Sequence, residues 1–203
     1  MNKKIGVLLP FKDNFTYSKA GSASIWIKDF NKKTSYKKNI YVCGNTNNLK
    51  DLIEKKNYLN IKFSDSTFQS KNKLYIEEFI KLNSKHKFEL IEVHNRPSYI
   101  HRLIEKKINS KLVLIFHNNP LNLGGSKTIE ERTILINKCE KLIFVSNWVK
   151  EKFFEGLGGK NNANCIVIYP SIGTLKKLPV KKNIISFVGK LNRSKGFHLF
   201  GNV

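Results

Sequence analysis

Acidic side chains are scarce in this sequence: 15 Asp and Glu residues stand against 37 Lys and Arg residues, which gives a formal net charge of +22. Such a charge would attract nucleic acid, anionic lipid head groups or phosphorylated substrates. Arginine is also scarce, so the bidentate groups that favour recognition of a phosphate backbone are few. Because lysine, asparagine and isoleucine together have the bias of AT-rich coding DNA, we expect most of the excess charge to be compositional and spread over solvated surface. The arginines are Arg96, Arg102, Arg132 and Arg193.

Cysteine is rare as well. Cys43, Cys139 and Cys165 lie far apart, and no C-x-x-C or Cys/His spacing indicates a zinc site. Cys43 and Cys165 fall in apolar runs, so we expect them to be small core residues of a reduced, cytosolic protein.

Long apolar runs are absent. No stretch approaches the roughly 18 consecutive apolar residues that a membrane-spanning helix needs. The run Ile5–Leu9 follows two lysines, as a signal peptide would, but Pro10 and Lys12 interrupt it and no small-residue cleavage site follows. The run is therefore predicted to be the first buried strand.

Short apolar runs recur along the chain, with helix-like segments between them. The runs are continuous rather than alternating, which is typical of strands buried on both faces of a parallel sheet. This alternation predicts an α/β fold, with a doubly wound parallel sheet and right-handed crossovers. The predicted strands are Ile5–Leu9, Ile40–Cys43, Phe88–Val93, Leu112–Phe116, Leu142–Val145 and Cys165–Ile168. The predicted helices are Ser22–Lys33, Leu49–Lys56, Leu74–Asn83, Ser98–Lys107, Thr128–Lys138 and Asn147–Phe154.

The pattern changes after Pro170. Residues 171–183 contain glycine, proline and several lysines with little periodicity, which is typical of a linker. A fresh buried strand is then predicted at Ile184–Gly189, with a helix starting near Lys195. One strand and one turn of helix cannot bury a core of their own. We therefore expect a first domain over residues 1–170, a linker over 171–183 and the incomplete start of a second domain over 184–203.

In doubly wound sheets, ligands bind beyond the carboxyl ends of the strands. After the first strand, Gly21 and Ser22 open a helix, and the exposed N–H groups of such a turn suit a phosphate or a sugar hydroxyl. A plain N-cap would use the same residues, so a ligand-binding turn and a structural N-cap both remain possible interpretations.

Two further strand ends carry a histidine followed by an asparagine. His94, Asn95 and Arg96 follow one strand, and His117 and Asn118 follow the next. The first group could bind hydroxyls or a phosphate, or it could be a capped turn with Arg96 in a salt bridge. A lone histidine is more often structural, but core packing does not require two such pairs at neighbouring strand ends.

A third group of polar residues lies near the end of the chain. Lys190 and Lys195 lie beside a glycine-containing turn that precedes a predicted helix. Point charges and backbone N–H groups in that arrangement can hold a diphosphate. In a chain so rich in lysine, chance clustering is the alternative.

Six stretches carry a family resemblance when they are taken together and in order. They are Ala20-Gly21-Ser22, Val93–Pro97, Phe116–Asn119, Ile143–Val149, Val167–Pro170, and Phe187–Leu191 with Lys195-Gly196. In these stretches the sequence resembles the family-4 glycosyltransferases of the two-Rossmann-domain (GT-B) class, especially bacterial enzymes that build lipopolysaccharide or other surface polysaccharides.

The resemblance implies roles for individual residues. His117 would lie near the reacting sugar as the catalytic residue, and Gly21 with Ser22 would approach the donor phosphates. Lys190, where the family usually has arginine, would neutralise the departing diphosphate together with Lys195. The acceptor would be faced by His94, Asn95, Arg96 and Asn118.

The resemblance also implies the reaction. A sugar would pass with retention of configuration from a nucleotide-diphosphate sugar to a glycan or lipid-linked acceptor, without a cofactor. No Asp-x-Asp motif is present, which fits a metal-independent transfer. The family's donor-gripping E-x7-E motif is expected beyond Val203, so this chain alone should be inactive. We expect a cytoplasmic location, with peripheral contact at the inner face of the plasma membrane compatible with the basic surface.

Two alternatives remain at this stage. A basic, non-catalytic module would bind nucleic acid or an anionic membrane surface, but it predicts cations clustered on one face with interleaved aromatic residues. Here the lysines are scattered over nearly every predicted helix and loop, so no specific nucleic-acid partner is expected. The other alternative is a different GT-B enzyme, such as a relative of glycogen synthase or a nucleotide-sugar epimerase.

Overall fold

A computed structural model of the chain describes residues 3–64, 68–159, 162–171, 180, 182–189 and 191–200. The chain divides into two compact units, Met1–Ser171 and Ile172–Val203. Most of the predicted linker over 171–183 lies outside the described residues.

The first unit is built on a seven-stranded sheet in the order β3-β2-β1-β4-β5-β6-β7, and every neighbouring pair of strands is parallel. The predicted α/β fold with a doubly wound parallel sheet is confirmed. The strands are β1 (Ile5–Leu8), β2 (Ile40–Gly44), β3 (Tyr58–Asn60), β4 (Leu90–His94), β5 (Lys111–Phe116), β6 (Lys141–Phe144) and β7 (Cys165–Val167).

Among the described residues of this unit, five helices flank the sheet, and short 3-10 turns fill some of the connections. The helices are α1 (Ser22–Lys33), α2 (Lys71–His86), α3 (Pro97–Glu105), α4 (Ile129–Lys138) and α5 (Asn147–Phe154). The 3-10 turns of this unit are Lys37–Asn39, Leu49–Asp51 and Pro120–Asn122. Side chains cap several helix starts: Thr128 and Glu131 form a reciprocal capping box before α4, and Ser146 caps α5.

The helices divide unequally between the two faces of the sheet. Successive residues of a strand point to opposite faces. Val7 and Leu9 accordingly pack with Ile27 of α1, whereas Leu8 packs in the larger core that α2, α3, α4 and α5 cover. This division follows from the strand order, because the chain moves one way along the sheet from β1 to β3 and the other way from β4 to β7. Among the described residues, α1 is therefore the helix that covers the face on which Val7 and Leu9 lie.

Two sequence predictions for the first unit need correction. The helix predicted at Leu49–Lys56 is wrong, because only the 3-10 turn Leu49–Asp51 forms there. The following residues supply an edge strand, β3 (Tyr58–Asn60), which the sequence analysis missed. The three residues of β3 are Tyr58, Leu59 and Asn60, and all of them are half-buried. Such a strand lacks the continuous apolar run that marks the central strands.

The described part of the second unit contains a 3-10 turn, Arg193–Lys195, and one short helix, α6 (Phe197–Phe200). The predicted strand at Ile184–Gly189 is wrong: residues 184–189 form no strand, and Val188 is 94% exposed. A strand needs a hydrogen-bonded neighbour, and the described residues of this unit supply none. The ring of Phe187 instead packs against Phe197 and Phe200, with centroid distances of 5.4 Å and 5.7 Å.

All three cysteines are free and buried. Burial raises the pKa of Cys139 to about 12 and that of Cys165 to about 11. Within the described ranges, no helix has both the length and the apolar character needed to cross a bilayer.

Candidate functional site

The candidate site lies at the carboxyl edge of the sheet, where β1, β4 and β5 are neighbours. His94 is the last residue of β4, and it pairs in register with Ile115 of β5. His117 is two residues beyond Ile115 and directly follows β5. The parallel register therefore brings the two predicted histidines together, although 22 residues separate them in the chain.

The two imidazoles belong to a hydrogen-bonded chain that begins at a carboxylate. Oε1 of Glu92 lies 2.7 Å from Nε2 of His94, and Nδ1 of His94 lies 2.9 Å from Nε2 of His117. The two imidazole rings are stacked, with centroids 5.2 Å apart. Trp26 of α1 meets both rings edge-on, at centroid distances of 5.3 Å from His94 and 6.1 Å from His117.

Burial separates the roles of the two histidines. His94 is completely buried, and both of its ring nitrogens are engaged. Both ring nitrogens of His94 thus have partners within the protein, and contact of His94 with an acceptor stays a prediction. His117 is only half-buried. Burial and the adjacent His94 lower the pKa of His117 to about 3, so its imidazole is neutral near pH 7.

Asn95 joins the ends of β4 and β5. Its backbone N–H donates to the carbonyl oxygen of Ile115 at 2.8 Å, and its Oδ1 accepts from the backbone N–H groups of His117 and Asn118, each at 3.3 Å. Asn95 adopts a left-handed conformation, with φ of 54°, which asparagine tolerates better than most residues. The side-chain oxygen predicted to face an acceptor thus holds the loop that carries His117.

Arg96 and Asn118 lie at the same edge as the two histidines. Arg96 is half-buried at the start of α3, and its Nη1 donates to the carbonyl oxygen of Asn95 at 2.9 Å. No salt bridge joins Arg96 to a carboxylate in the described part of the chain. Asn118 is exposed. Contact of either residue with an acceptor stays a prediction.

An internal carboxylate occupies part of the predicted phosphate loop. Gly21 is the N-cap of α1, its N–H donates to Oδ1 of Asp13 at 3.0 Å, and the hydroxyl of Ser24 donates to the same oxygen at 2.7 Å. An anion at this end of a helix is favoured by the helix dipole. Ser22 is exposed beside it. A donor phosphate at Gly21 and Ser22 stays a prediction, and it would have Asp13 as a neighbour.

The two predicted diphosphate-binding lysines belong to the second unit. Lys190 lies outside the described residues. Lys195 is exposed at the end of the 3-10 turn Arg193–Lys195, and its backbone N–H donates to Oδ1 of Asn192 at 3.1 Å. The role of either lysine stays a prediction.

Sequence reasoning missed three residues of this site: Glu92, Trp26 and Asp13. Glu92 carried a detectable signal, because it interrupts the apolar run of β4 and stands two residues before His94, on the same face of the strand. Trp26 is one aromatic residue among many, and Asp13 lies eight residues before Gly21 in an irregular loop. Neither of these two positions could be read from spacing.

The chemistry of the cluster is that of hydrogen bonding and proton positioning. Among the described residues, no group of three or more His, Cys, Asp or Glu side chains could hold a metal ion. The edge presents a neutral imidazole, an exposed amide and a half-buried guanidinium. These groups suit a ligand that is rich in hydroxyls.

Comparison with known proteins shows what the chain as a whole is similar to. No family model matches the chain. Over 130 residues the sequence is 27% identical to the Bacillus subtilis (strain 168) protein named "Putative glycosyltransferase YtcC", a match that covers 55% of this chain and 32% of that protein.

Two solved structures share the fold. The Anabaena protein Alr3699/HepE, solved in complex with UDP-glucose, matches with a TM-score of 0.55 and 16% identity over 81% of this chain and 43% of that one. Sucrose-phosphate synthase (tll1590) from Thermosynechococcus elongatus matches with a TM-score of 0.50 and 10% identity over 82% of this chain and 48% of that one. The chain is thus glycosyltransferase-like in sequence and fold. It spans less than half the length of each of these relatives.

Proposed function

We propose that the chain is the acceptor-side part of a retaining glycosyltransferase, which transfers a sugar from a nucleotide-diphosphate sugar to a glycan or lipid-linked acceptor. The observation that carries the proposal is the pairing of His94 with His117 at the carboxyl edge of the sheet. Support comes from the sequence similarity to YtcC and from the fold shared with a protein that was solved with UDP-glucose.

In the proposed reaction, the bond between the anomeric carbon and the leaving diphosphate breaks while a hydroxyl of the acceptor attacks. The transition state has oxocarbenium character, so the main task of the protein is to stabilise negative charge that grows on the diphosphate. Lys190 and Lys195 would supply positive charge, and the N-terminus of α1 would supply N–H groups. His117 would contact the reacting sugar as a neutral imidazole.

We propose that this transfer is metal-independent and takes place in the cytoplasm, during synthesis of a surface polysaccharide or lipopolysaccharide. The net charge of +22 supports peripheral contact with anionic lipid, where a lipid-linked acceptor would be found. The second unit, with Lys195, would belong to the part of the protein that binds the nucleotide sugar.

The test is a donor screen on the full-length protein. UDP-, GDP- and ADP-sugars are incubated with a lipid-linked acceptor extract, and release of the nucleoside diphosphate is measured. We expect release with one donor class, and we expect NMR of the product to show the anomeric configuration of the donor. His117→Ala should lower turnover at least a hundredfold, within the range known for removal of one stabilising group.

The matched control is His86→Ala, because His86 ends α2 next to Lys4, at the amino edge of the sheet. This variant should keep wild-type turnover. Full activity in His117→Ala would remove His117 from the mechanism. Absence of transfer with every donor, together with salt-sensitive binding of arbitrary DNA, would favour the basic binding module instead.

A further inference from the structure

Glu92, His94 and His117 form a line of three side chains that ends at the half-buried imidazole. Glu92 stands in the middle of β4, with its side chain 18% exposed, and His94 is completely buried. A carboxylate placed beside a buried imidazole imposes a direction on the hydrogen bonds, because an ionised carboxylate can only accept.

That direction can be followed from one side chain to the next. Nε2 of His94 must carry the proton that it donates to Oε1 of Glu92. When the His94 ring is neutral, its other nitrogen is an acceptor, and Nδ1 of His94 then accepts from Nε2 of His117. Because the lowered pKa of His117 makes its ring neutral, Nδ1 of His117 carries no proton.

Other groups around the two rings do not compete for these protons. Trp26 contacts both imidazoles through T-shaped ring packing, with interplanar angles of 66° and 88°. Oδ1 of Asn95 is engaged by the backbone N–H groups of His117 and Asn118. Within the described residues, two buried polar side-chain atoms lack a hydrogen-bond partner: Oδ1 of Asn31 and Nε of Arg132. Nδ1 of His117 is not one of them.

We infer that Glu92 is a positioning residue that acts through His94 to hold His117 in the tautomer with its proton on Nε2 and a free acceptor on Nδ1. His117 then engages a ligand through a hydroxyl that donates to it. A phosphate or carboxylate oxygen has no proton to donate, so these anions are disfavoured at Nδ1. The assignment of that hydroxyl to the transferred sugar rests on the proposed function, whereas the tautomer itself does not.

The tautomer can be read directly in the 203-residue chain. With histidine labelled with 15N, long-range 1H–15N correlation spectra at pH 8 distinguish a protonated from an unprotonated ring nitrogen, and loss of one signal set in His117→Gln assigns His117. We expect a single form of His117, protonated on Nε2. Protonation on Nδ1, or a mixture of tautomers in the wild type, would overturn the inference.

Glu92→Gln is the decisive variant, since it keeps the size of the side chain but offers a donor as well as an acceptor. We expect His94 and His117 to populate both tautomers in this variant. Glu92→Leu, which removes the acceptor, should give the same result. Glu89→Gln is the control, because Glu89 is an exposed carboxylate just before β4, and its spectrum should match the wild type. A single unchanged tautomer in both Glu92 variants would show that Glu92 does not position His117.

Activity supplies a separate reading. In a full-length protein that transfers sugar, Glu92→Gln should lower kcat/KM about tenfold, the equivalent of one misdirected hydrogen bond, at an unchanged melting temperature. If no sugar transfer is found at all, the proposed function fails while the spectra still decide the tautomer. If transfer is found but the Glu92 variants keep one tautomer, only the positioning role fails.

Discussion

The guanidinium of Arg132 reaches the end of another helix: its Nη2 donates to the backbone carbonyl oxygen of Glu155, 2.6 Å away. Arg132 belongs to α4 and is 2% exposed, and Glu155 is the C-cap of α5. A cation at this position complements the negative end of the α5 dipole. The buried arginine thus ties two helices on the same face of the sheet.

Removal of this tie should destabilise the first unit. We expect Arg132→Met to lower the free energy of unfolding by about 2 kcal/mol, because the carbonyl oxygen of Glu155 loses a charged donor. Urea denaturation followed by circular dichroism measures the change. Lys138→Met, at an exposed position on the same helix, should change stability by less than about 0.5 kcal/mol. Equal stability of the two variants would show that the hydrogen bond to Glu155 contributes nothing.

Asn95 should be replaceable only by residues that meet two demands at once. Asn95→Gly keeps the left-handed backbone but loses the oxygen that holds the loop of His117, whereas Asn95→Ala loses both. We expect losses of about 1 kcal/mol for glycine and about 2 kcal/mol for alanine. Asn95→Asp keeps an oxygen acceptor and should be the mildest of the three. Thermal unfolding ranks the stabilities of the three variants. If Asn95→Ala were more stable than Asn95→Gly, the left-handed backbone at this position would not explain the preference.

Gly21 lacks room for a side chain. A β-carbon added there would lie 2.6 Å from the carboxylate oxygens of Asp13. Gly21→Ala should therefore displace Asp13 and cost about 2 kcal/mol, whereas Gly124→Ala, where no atom lies within 4 Å of the added carbon, should be nearly neutral. The double variant with Asp13→Ser should lose less than the sum of the two single changes, since the clash is removed. Strict additivity in a double-mutant cycle would rule out the clash.

The pKa of His117 predicts a pH dependence of stability. The unfolded chain takes up a proton on this imidazole near pH 6.5, but the folded chain does so only near pH 3. Because the unfolded state binds more protons between these values, His117 lowers stability progressively as the pH falls through that window. Urea midpoints from pH 4 to pH 8 should fall less steeply in His117→Gln than in the wild type. Parallel curves would show that His117 titrates alike in both states.

The central part of the fold could be predicted from sequence because its strands are mostly apolar runs, with helical segments between them. The bounds of α1 and α5 were predicted correctly to the residue. Prediction from the local sequence pattern was wrong where the presence or absence of a neighbouring strand decides the structure. Tyr58–Asn60 forms a strand by pairing with β2, and the apolar residues 184–189 form none, because the described part of the second unit gives them no sheet.

The site followed the same division. Polar residues after a strand are visible in sequence, so His94 and His117 could be placed at one edge of the sheet. Their unequal burial could not be foreseen, since it depends on the tertiary packing around each ring, which includes Trp26 of α1. The chemistry of Asp13 was hidden for a similar reason, because its partner Gly21 comes from the far end of a loop without regular structure.

The register between β4 and β5 has a consequence for how this chain can be altered. Side chains alternate between the two faces of the sheet with a period of two. The removal of a single residue from β5 would therefore turn His117 toward the face that α2 to α5 cover, and would bring core side chains to the face of α1. The core and the site therefore depend on the same strand register. A change in the length of β5 that misplaces the core side chains also misplaces His117. Insertions between α3 and β5 carry no such penalty. Natural or engineered variation in length should accordingly collect in that connection and avoid the strands themselves.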